Sequence, residues 1–401
     1  MGYRTLTIKR RVEEIPPEQL AKFLEVQQKF RQWATEWYKS GFKAPMPEQN
    51  PLKYFAEKLK YVMKLIPVNG LKNGIWRIPL PFNVQLRLSN NEEDESRGVL
   101  VDFVSSQESR EEKVIKVRKW SGQRGNTIVI RLRKSEIKWI EERIREGAQL
   151  KFALAWVGKR RGSNIATFNV ALVFYREITP FQPKRLLVVD INSLHNGVVW
   201  AVVEEGRVLR RGVLRPDLAH IGSLEREIAR LDSLCSTKGV HCNKATALKS
   251  RLWRLWRQWT IEAAKKIVQL ATQYKAAVVV DTPEDKSVRE LKESDRVKPS
   301  VKKYLNVGRF TKRLRELAEW HGVPYAELRL YSTICPKCGA KMEELPNRRV
   351  KCQCGFEANR DEVPIHWAQK RYREIIPFFP NTTFNPPLYI PPDLQSDILP
   401  D

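Results

Sequence analysis

Four of the six cysteines in this chain fall as two close pairs, Cys335-Pro-Lys-Cys338-Gly and Cys352-Gln-Cys354-Gly. Two knuckles of this kind can set four thiolates tetrahedrally around zinc. Gly339 and Gly355 follow the pairs directly and permit the tight turns that aim backbone amides at the sulfurs. Four sulfur ligands leave no open position for water, so Zn2+ held by Cys335, Cys338, Cys352 and Cys354 would be structural. A disulfide framework is the competing account, but no signal peptide is evident and the chain reads as intracellular. Seven residues beyond Cys354 stands Asp361, where a helix could begin.

Carboxylates supply the second chemistry. Phosphodiester hydrolysis by two divalent cations, with Mg2+ expected, needs hard oxygen ligands converging from separate elements. Asp190 closes the uninterrupted apolar run Leu186-Leu-Val-Val189, at the point where a buried strand meets solvent. Asp281 closes Ala276–Val280 in the same way, and Glu327 sits within Val323–Leu330. Taken singly each has a plain alternative: a turn-starting aspartate, a helix cap or a solvent-facing strand glutamate. The set is more specific than its members.

The chain carries 72 Lys+Arg against 46 Asp+Glu, a formal charge of +26, which predicts extended contact with a polyphosphate. Candidate contacts are the hairpin tip Lys159, Arg160 and Arg161, and the arginines of Arg251-Leu-Trp253-Arg254-Leu-Trp256-Arg257-Gln-Trp259. In that run the tryptophans recur every third residue. The simplest reading makes them core and turns Arg251, Arg254 and Arg257 outward along a nucleic-acid backbone. Arg309, Lys312 and Arg313 on the next helix could act likewise. No apolar run reaches the roughly 20 residues of a membrane span. No Walker loop and no G-x-G-x-x-G occurs, which argues against ATP-driven and dinucleotide functions. Cys235, His241 and Cys242 lack a fourth ligand and suggest free thiols or a loop disulfide. His195 and His321 have no nucleophile constellation around them.

These residues must be positioned by two kinds of domain. A strand over 5–10, then helices opened by Pro16-Pro17 and by Pro51, lead into basic strands, a short helix near 136–146 and a hairpin over 150–174. From Lys184 the order becomes strand, hairpin, long helix over about 218–274, strand, helix and strand, with acids at strand ends. Pro377 opens a stretch with seven prolines in 25 residues, expected to be extended.

Val188-Val-Asp190-Ile-Asn192-Ser193-Leu-His195-Asn196-Gly197 resembles the first RuvC motif of the TnpB proteins encoded by insertion sequences. Tyr331-Ser-Thr-Ile-Cys335-Pro-Lys-Cys338-Gly and Cys354-Gly-Phe-Glu-Ala-Asn-Arg-Asp361 resemble that family's ribbon and third motif. The family comprises RNA-guided DNA endonucleases related to compact type V CRISPR effectors. The resemblance covers roughly 184–372 with specific motifs, and 1–180 by organisation alone.

It implies an α/β fold: an RNase H-like (RuvC) nuclease domain over 184–334, a zinc ribbon over 335–355 and a C-terminal helix over 356–374. Before these would stand a wedge-type β-barrel, 1–10 and 96–180, carrying a helical recognition insert, 11–95; a flexible tail, 375–401, would follow. The implied partners are a structured guide RNA, a double-stranded DNA target and a separate transposase of the same element. A cytoplasmic, nucleoid-associated monomer is expected. Asp190 and Asp361 take the first and third catalytic positions. The family usually has glutamate where this chain has Asp281, one methylene shorter. Some relatives place that glutamate in the following strand, where Glu327 lies. The choice between Asp281 and Glu327 stays open, with a lean to Glu327 because its longer side chain covers the missing reach. The shorter acid also motivates a second reading, a nuclease-impaired RNA-guided DNA-binding regulator. A cut-and-paste transposase shares the scaffold, but the ribbon before Asp361 argues against it.

Overall fold

Period-two alternation in Val114–Arg118 and Thr127–Arg131 buries Ile115, Val117, Ile128 and Ile130 and sets the strand pattern of the N-terminal unit, Tyr3–Glu177. The computed structural model describes residues 2–63, 79–88, 97–103, 113–121, 126–159, 165–191, 197–240, 242–281 and 307–379. β1 (Gly2–Arg11) is followed by α1 (Pro17–Lys39) and α2 (Leu52–Met63). Pro17 opens α1 at a position whose N–H would have no helical partner, and Phe23, Gln27, Phe30, Ala34 and Trp37 form the buried stripe.

Next come β2 (Leu80–Phe82), β3 (Val84–Arg87), β4 (Gly98–Asp102), β5 (Val114–Arg118), β6 (Thr127–Arg131), α3 (Lys134–Arg145), β7 (Gln149–Lys159) and β8 (Ala166–Arg176). They form two four-stranded sheets, ordered β1-β8-β7-β2 and β3-β4-β5-β6. The Gln27 side chain pins α1 to β7: its oxygen accepts from the Val157 N–H at 2.8 Å and its amide donates to the Val157 carbonyl at 3.3 Å.

Two expectations are corrected here. No closed barrel forms among the described residues. The segment 11–95 is also not wholly helical, because β2 pairs with β7 and β3 with β4. Strands of three and four residues are too short to display an alternation that sequence reading can find. Arg160 and Arg161 lie outside the described residues, as do His195 and His241.

The C-terminal unit, Ile178–Asp401 with Met1–Gly2, is built on β9 (Arg185–Ile191), β10 (Val198–Glu204), β11 (Arg207–Leu214), β12 (Ala276–Asp281) and β13 (Tyr325–Leu328). Between strands lie α4 (Leu218–Thr237), α5 (Asn243–Tyr274) and α6 (Val307–His321). The sheet order is β11-β10-β9-β12-β13, with β9, β12 and β13 parallel and β10 antiparallel to both its neighbours. Beyond it come the small strands β14 (Glu343–Leu345), β15 (Arg349–Lys351) and β16 (Glu357–Asn359), then α7 (Val363–Lys370) and α8 (Tyr372–Ile375).

Both faces of this sheet are covered, which explains the unbroken apolar runs in β9 and β12. Leu187, Val189, Val278 and Val280 pack with α5 and α6 in one core. Leu186, Val188, Ala277 and Val279 pack with the small strands and α7 in a second. Ile375 and Phe379 are buried in that second core, so the fold continues through the 3-10 turn Ile376–Phe378. The tail therefore starts later than residue 375, and 380–401 lie outside the described residues. Cys235 and Cys242 form a disulfide joining the end of α4 to the start of α5, as one sequence alternative had it. Among the described residues, no helix is long and apolar enough to cross a membrane.

Gly197 enters β10 at φ +82°, and a Cβ there would lie 2.3 Å from the Leu214 carbonyl oxygen of the paired strand. Gly147 has a similar φ of +76° with open space around it. Gly147→Ala should therefore show only left-handed backbone strain, about 1–2 kcal/mol. Gly197→Ala adds a backbone clash, and its loss of stability by chemical denaturation should exceed that of Gly147→Ala by at least about 1 kcal/mol.

Candidate active site and cysteine cluster

Strand parity decides which acids can meet. β12 runs parallel to β9 with Val280 beside Val189, so Asp281 and Asp190 stand level at the C-terminal ends of neighbouring strands. Both follow residues of the α5/α6 core, and alternation turns both carboxylates to the opposite face, where α7 packs. Asp190 is buried. Asp281 accepts a hydrogen bond from the Leu330 N–H at 2.8 Å. Burial pushes its carboxyl up to about 6, against the opposing pull of that bond and of Arg329.

Asp361 comes from a different element, the 3-10 turn Arg360–Glu362 that leads into α7, and it too is buried. Its backbone N–H donates to the Asn359 side-chain oxygen at 2.9 Å, which fixes the turn. Its carboxylate is gripped by Arg348, whose Nε donates to both oxygens at 3.0 Å and whose Nη2 donates to Oδ1. That hydrogen bond raises the Arg348 pKa above its usual value, and the charge of Asp190 adds to the rise. One guanidinium is thus held by Asp361 within the field of Asp190.

Sequence reading did not single out Arg348. It lies in the turn Pro346–Arg348 joining β14 to β15, where Asn347 and Arg348 both have positive φ, 58° and 60°. The nearest sequence signal is Pro-Asn before a pair of arginines, and nothing there separates Arg348 from Arg349. Only the turn's conformation aims one of them at Asp361.

Glu327 goes the other way. In β13 it pairs with Val280, and alternation puts it with Tyr325 on the α5/α6 face, while Ala326 and Leu328 face the ribbon. Its carboxylate accepts from the Tyr325 hydroxyl at 2.8 Å and from Arg315 of α6. The expected lean towards Glu327 is corrected. Its side chain is tied off on the face opposite Asp190, and Asp281 is the acid that accompanies Asp190.

The cysteines converge as their spacing predicts. The ligand sulfurs of Cys335, Cys338, Cys352 and Cys354 all lie within 4.8 Å of one another. Gly339 and Gly355 have φ of +80° and +83°, and their N–H groups donate to the carbonyls of Cys335 and Cys352, each at 2.9 Å. The Cys354 thiol is lowered to about 7, chiefly by a backbone hydrogen bond from Phe356. The cluster could hold one tetrahedral ion at the root of the β14–β15 hairpin that carries Arg348.

On α5, Arg251, Arg254 and Arg257 are exposed while Leu252 and Trp256 are buried and Trp253 and Trp259 half-buried, as the spacing predicts. Arg309 stacks over Trp253 with its guanidinium 5.0 Å from the ring centre. Lys312 is exposed, whereas Arg313 is half-buried and paired with Glu316 at 3.2 Å. Lys159 ends β7.

Residues 308–364 match the family described as Cas12f1-like, TNB domain. No curated protein matches the chain. Among solved structures, the cryo-EM structure of a Cas12f1–sgRNA–target DNA complex aligns over 87% of this chain and 83% of that one, with 14% identity and a TM-score of 0.53. A CRISPR-Cas12f ternary complex aligns over 86% and 80%, with 12% identity and a TM-score of 0.34. The mini RNA-guided endonuclease CRISPR-Cas phi3 aligns over 69% and 59%, with 11% identity and a TM-score of 0.33. The chain thus carries a Cas12f1-like TNB domain over 308–364 and shares a fold with Cas12f1 over most of its length.

Proposed function

We propose that the protein is an RNA-guided DNA endonuclease of the compact type V kind, linked to a transposable element, that cuts beside a short flanking motif. The observation that carries this reading is the strand parity that sets Asp190 and Asp281 level on one face of the sheet, with Asp361 joined to Asp190 through the charge of Arg348. The strand order β11-β10-β9-β12-β13, in which β10 alone runs against the other four strands, supports an RNase H-like (RuvC) reading of this domain. The Cas12f1 of the aligned complex is bound to sgRNA and target DNA, which supports RNA and DNA as partners here.

The donor set is chemically of the kind Mg2+ takes, hard carboxylate oxygens carried on three separate elements. Mg2+, when bound, supplies Lewis-acid stabilisation of charge developing on the phosphodiester. Asp190, Asp281 and Asp361 would hold it. Arg348 neutralises Asp361 and holds its carboxylate in place while itself feeling the charge of Asp190. The exposed arginines of α5 present planar donors to a nucleic-acid backbone, while base pairing to the guide reads sequence. Zn2+ on the four cysteines would be structural, its role being to fix the hairpin that carries Arg348.

The direct test is purification with co-expressed flanking RNA, followed by plasmid cleavage with Mg2+ and with chelator. Bound RNA and Mg2+-dependent cutting are expected. Guided binding without cutting at any Mg2+ concentration would instead favour the nuclease-impaired regulator, a reading prompted by the short side chain of Asp281 and its bond to the Leu330 N–H.

Asp190→Ala, Asp281→Ala and Asp361→Ala should each lower cleavage by about a hundred-fold or more, the scale of several kcal/mol of metal-derived stabilisation, while guided binding survives. Glu327→Ala should stay within about three-fold of wild type, since the side chain acts on the other face. Inactive Glu327→Ala protein that still melts like wild type would restore Glu327 to the site.

For the ribbon, metal-replete protein should contain one zinc per chain beyond any Mg2+. Cys338→Ser should lower that content and weaken cleavage without altering a carboxylate, because structural zinc contributes several kcal/mol of local folding free energy. Elemental analysis and a cleavage assay on the same preparation check both halves.

A further inference from the structure

A cavity of about 380 Å³ opens between β11 and α7, lined by Val208, Leu209, Arg210 and Arg211 from the strand and by Glu362, Ile365, His366 and Gln369. β11 is the edge of its sheet. Its register slips at Leu209, because Val208 pairs with Val203 while Arg210 pairs with Val202. A bulge of this kind turns the edge away from strand pairing and leaves side chains as the means of attachment. Leu209 is 49% exposed and Val213 43%, large apolar groups beside the exposed cations Arg207, Arg210 and Arg211. Arg210 donates to the Tyr274 hydroxyl and Arg211 to Glu362, each at 3.1 Å, and a guanidinium has five N–H donors.

This lining asks for an occupant that is apolar and acidic together. A nucleic-acid backbone brings phosphate without apolar side chains and would meet the Glu362 carboxylate. The chain's own segment 380–401 has the required composition. No Lys or Arg follows Arg373, in a protein with 72 of them, while Asp393, Asp397 and Asp401 do. Phe384, Leu388, Tyr389, Ile390, Leu394, Ile398 and Leu399 accompany them. The last described residue is Phe379, and α7, which forms one wall of the cavity, ends at Lys370 just before it. The stretch from Phe379 to Asp393 can extend over roughly 45 Å, so reach does not limit docking. A tethered segment also binds at an effective concentration of about millimolar, where a weak contact suffices.

We propose that the acidic, apolar C-terminal segment 380–401 docks in the cavity between Val208–Arg211 and α7 of its own chain. Apolar side chains enter the cavity between Leu209 and Ile365, and the aspartates face Arg210 and Arg211.

The test uses the full-length protein carrying Leu209→p-benzoylphenylalanine, irradiated and digested with trypsin. The crosslink should join the β11 peptide to the single tryptic peptide that begins at Glu374 and runs to the C-terminus. Its yield should fall about five-fold or more in Asp393→Asn/Asp397→Asn/Asp401→Asn protein, and likewise at high salt, which screens exposed pairs. A second measurement needs no unnatural residue: the triple Asn variant should exchange backbone hydrogens faster over 207–214 than wild type. Crosslinks to any other peptide would overturn the proposal. So would hybrid crosslinks between isotopically light and heavy chains, which indicate a second copy, and nuclease-sensitive adducts, which indicate nucleic acid. Unchanged exchange over 207–214 in the triple variant would also overturn it.

Discussion

Two buried carboxylates on one face of a sheet repel each other, and this structure tolerates them because positive charge is built in beside them. Asp190 and Asp361 are both buried. A carboxylate taken out of water must find donors or a cation, or it takes up a proton. Asp361 takes the first course, since Arg348 grips it through three hydrogen bonds. Asp281 leans towards the second, its carboxyl raised to about 6 by burial with one N–H donor to offset it.

The grip of Arg348 makes the ribbon more than an appendage. Arg348 reaches Asp361 only because the turn Pro346–Arg348 holds two successive residues at positive φ. Such a turn costs backbone energy that its surroundings must supply. β14 and β15 pair on either side of it, and the four sulfurs gather at the base of the same small sheet. Trp367 of α7 adds a hydrogen bond from its indole to the Ile334 carbonyl, 2.9 Å away, which ties the helix after Asp361 to the residue just before the first cysteine pair. A metal on the cysteines and a cation on the aspartates would therefore act through one hairpin, although no ligand is shared between them.

Much of this was legible in the sequence, and the gaps have physical causes. Cysteine spacing fixes sulfur positions because the knuckle turn is stereotyped, and apolar runs ending in Asp190 and Asp281 mark strand ends without knowledge of the partners. Facing direction was the hidden quantity. A strand covered on both faces has no polar alternation, so Tyr325-Ala326-Glu327-Leu328 does not declare which side Glu327 takes. Its side-chain length pointed one way, and parity decided the other. Arg348 was hidden because its role resides in a backbone turn, and the two sheets of the N-terminal unit because β2 and β3 are three and four residues long.

α5 shows how one helix can serve two requirements without compromise. Its inward stripe, from Leu252 and Trp256 to Ala264, Ile267 and Ala271, needs large and small apolar groups to fit against the sheet and α4. Its outward stripe is under no packing constraint, and there the chain places Arg251, Arg254 and Arg257. Arg309 of α6 lies over Trp253, so a cation on the neighbouring helix adds to the same surface through an aromatic face that packing left half-exposed. Charge on this scale, +26 over the chain, resists compaction by self-repulsion wherever it has no counter-charge. Keeping it on exposed helix faces lets the same arginines stay solvated at no cost to the packed stripe.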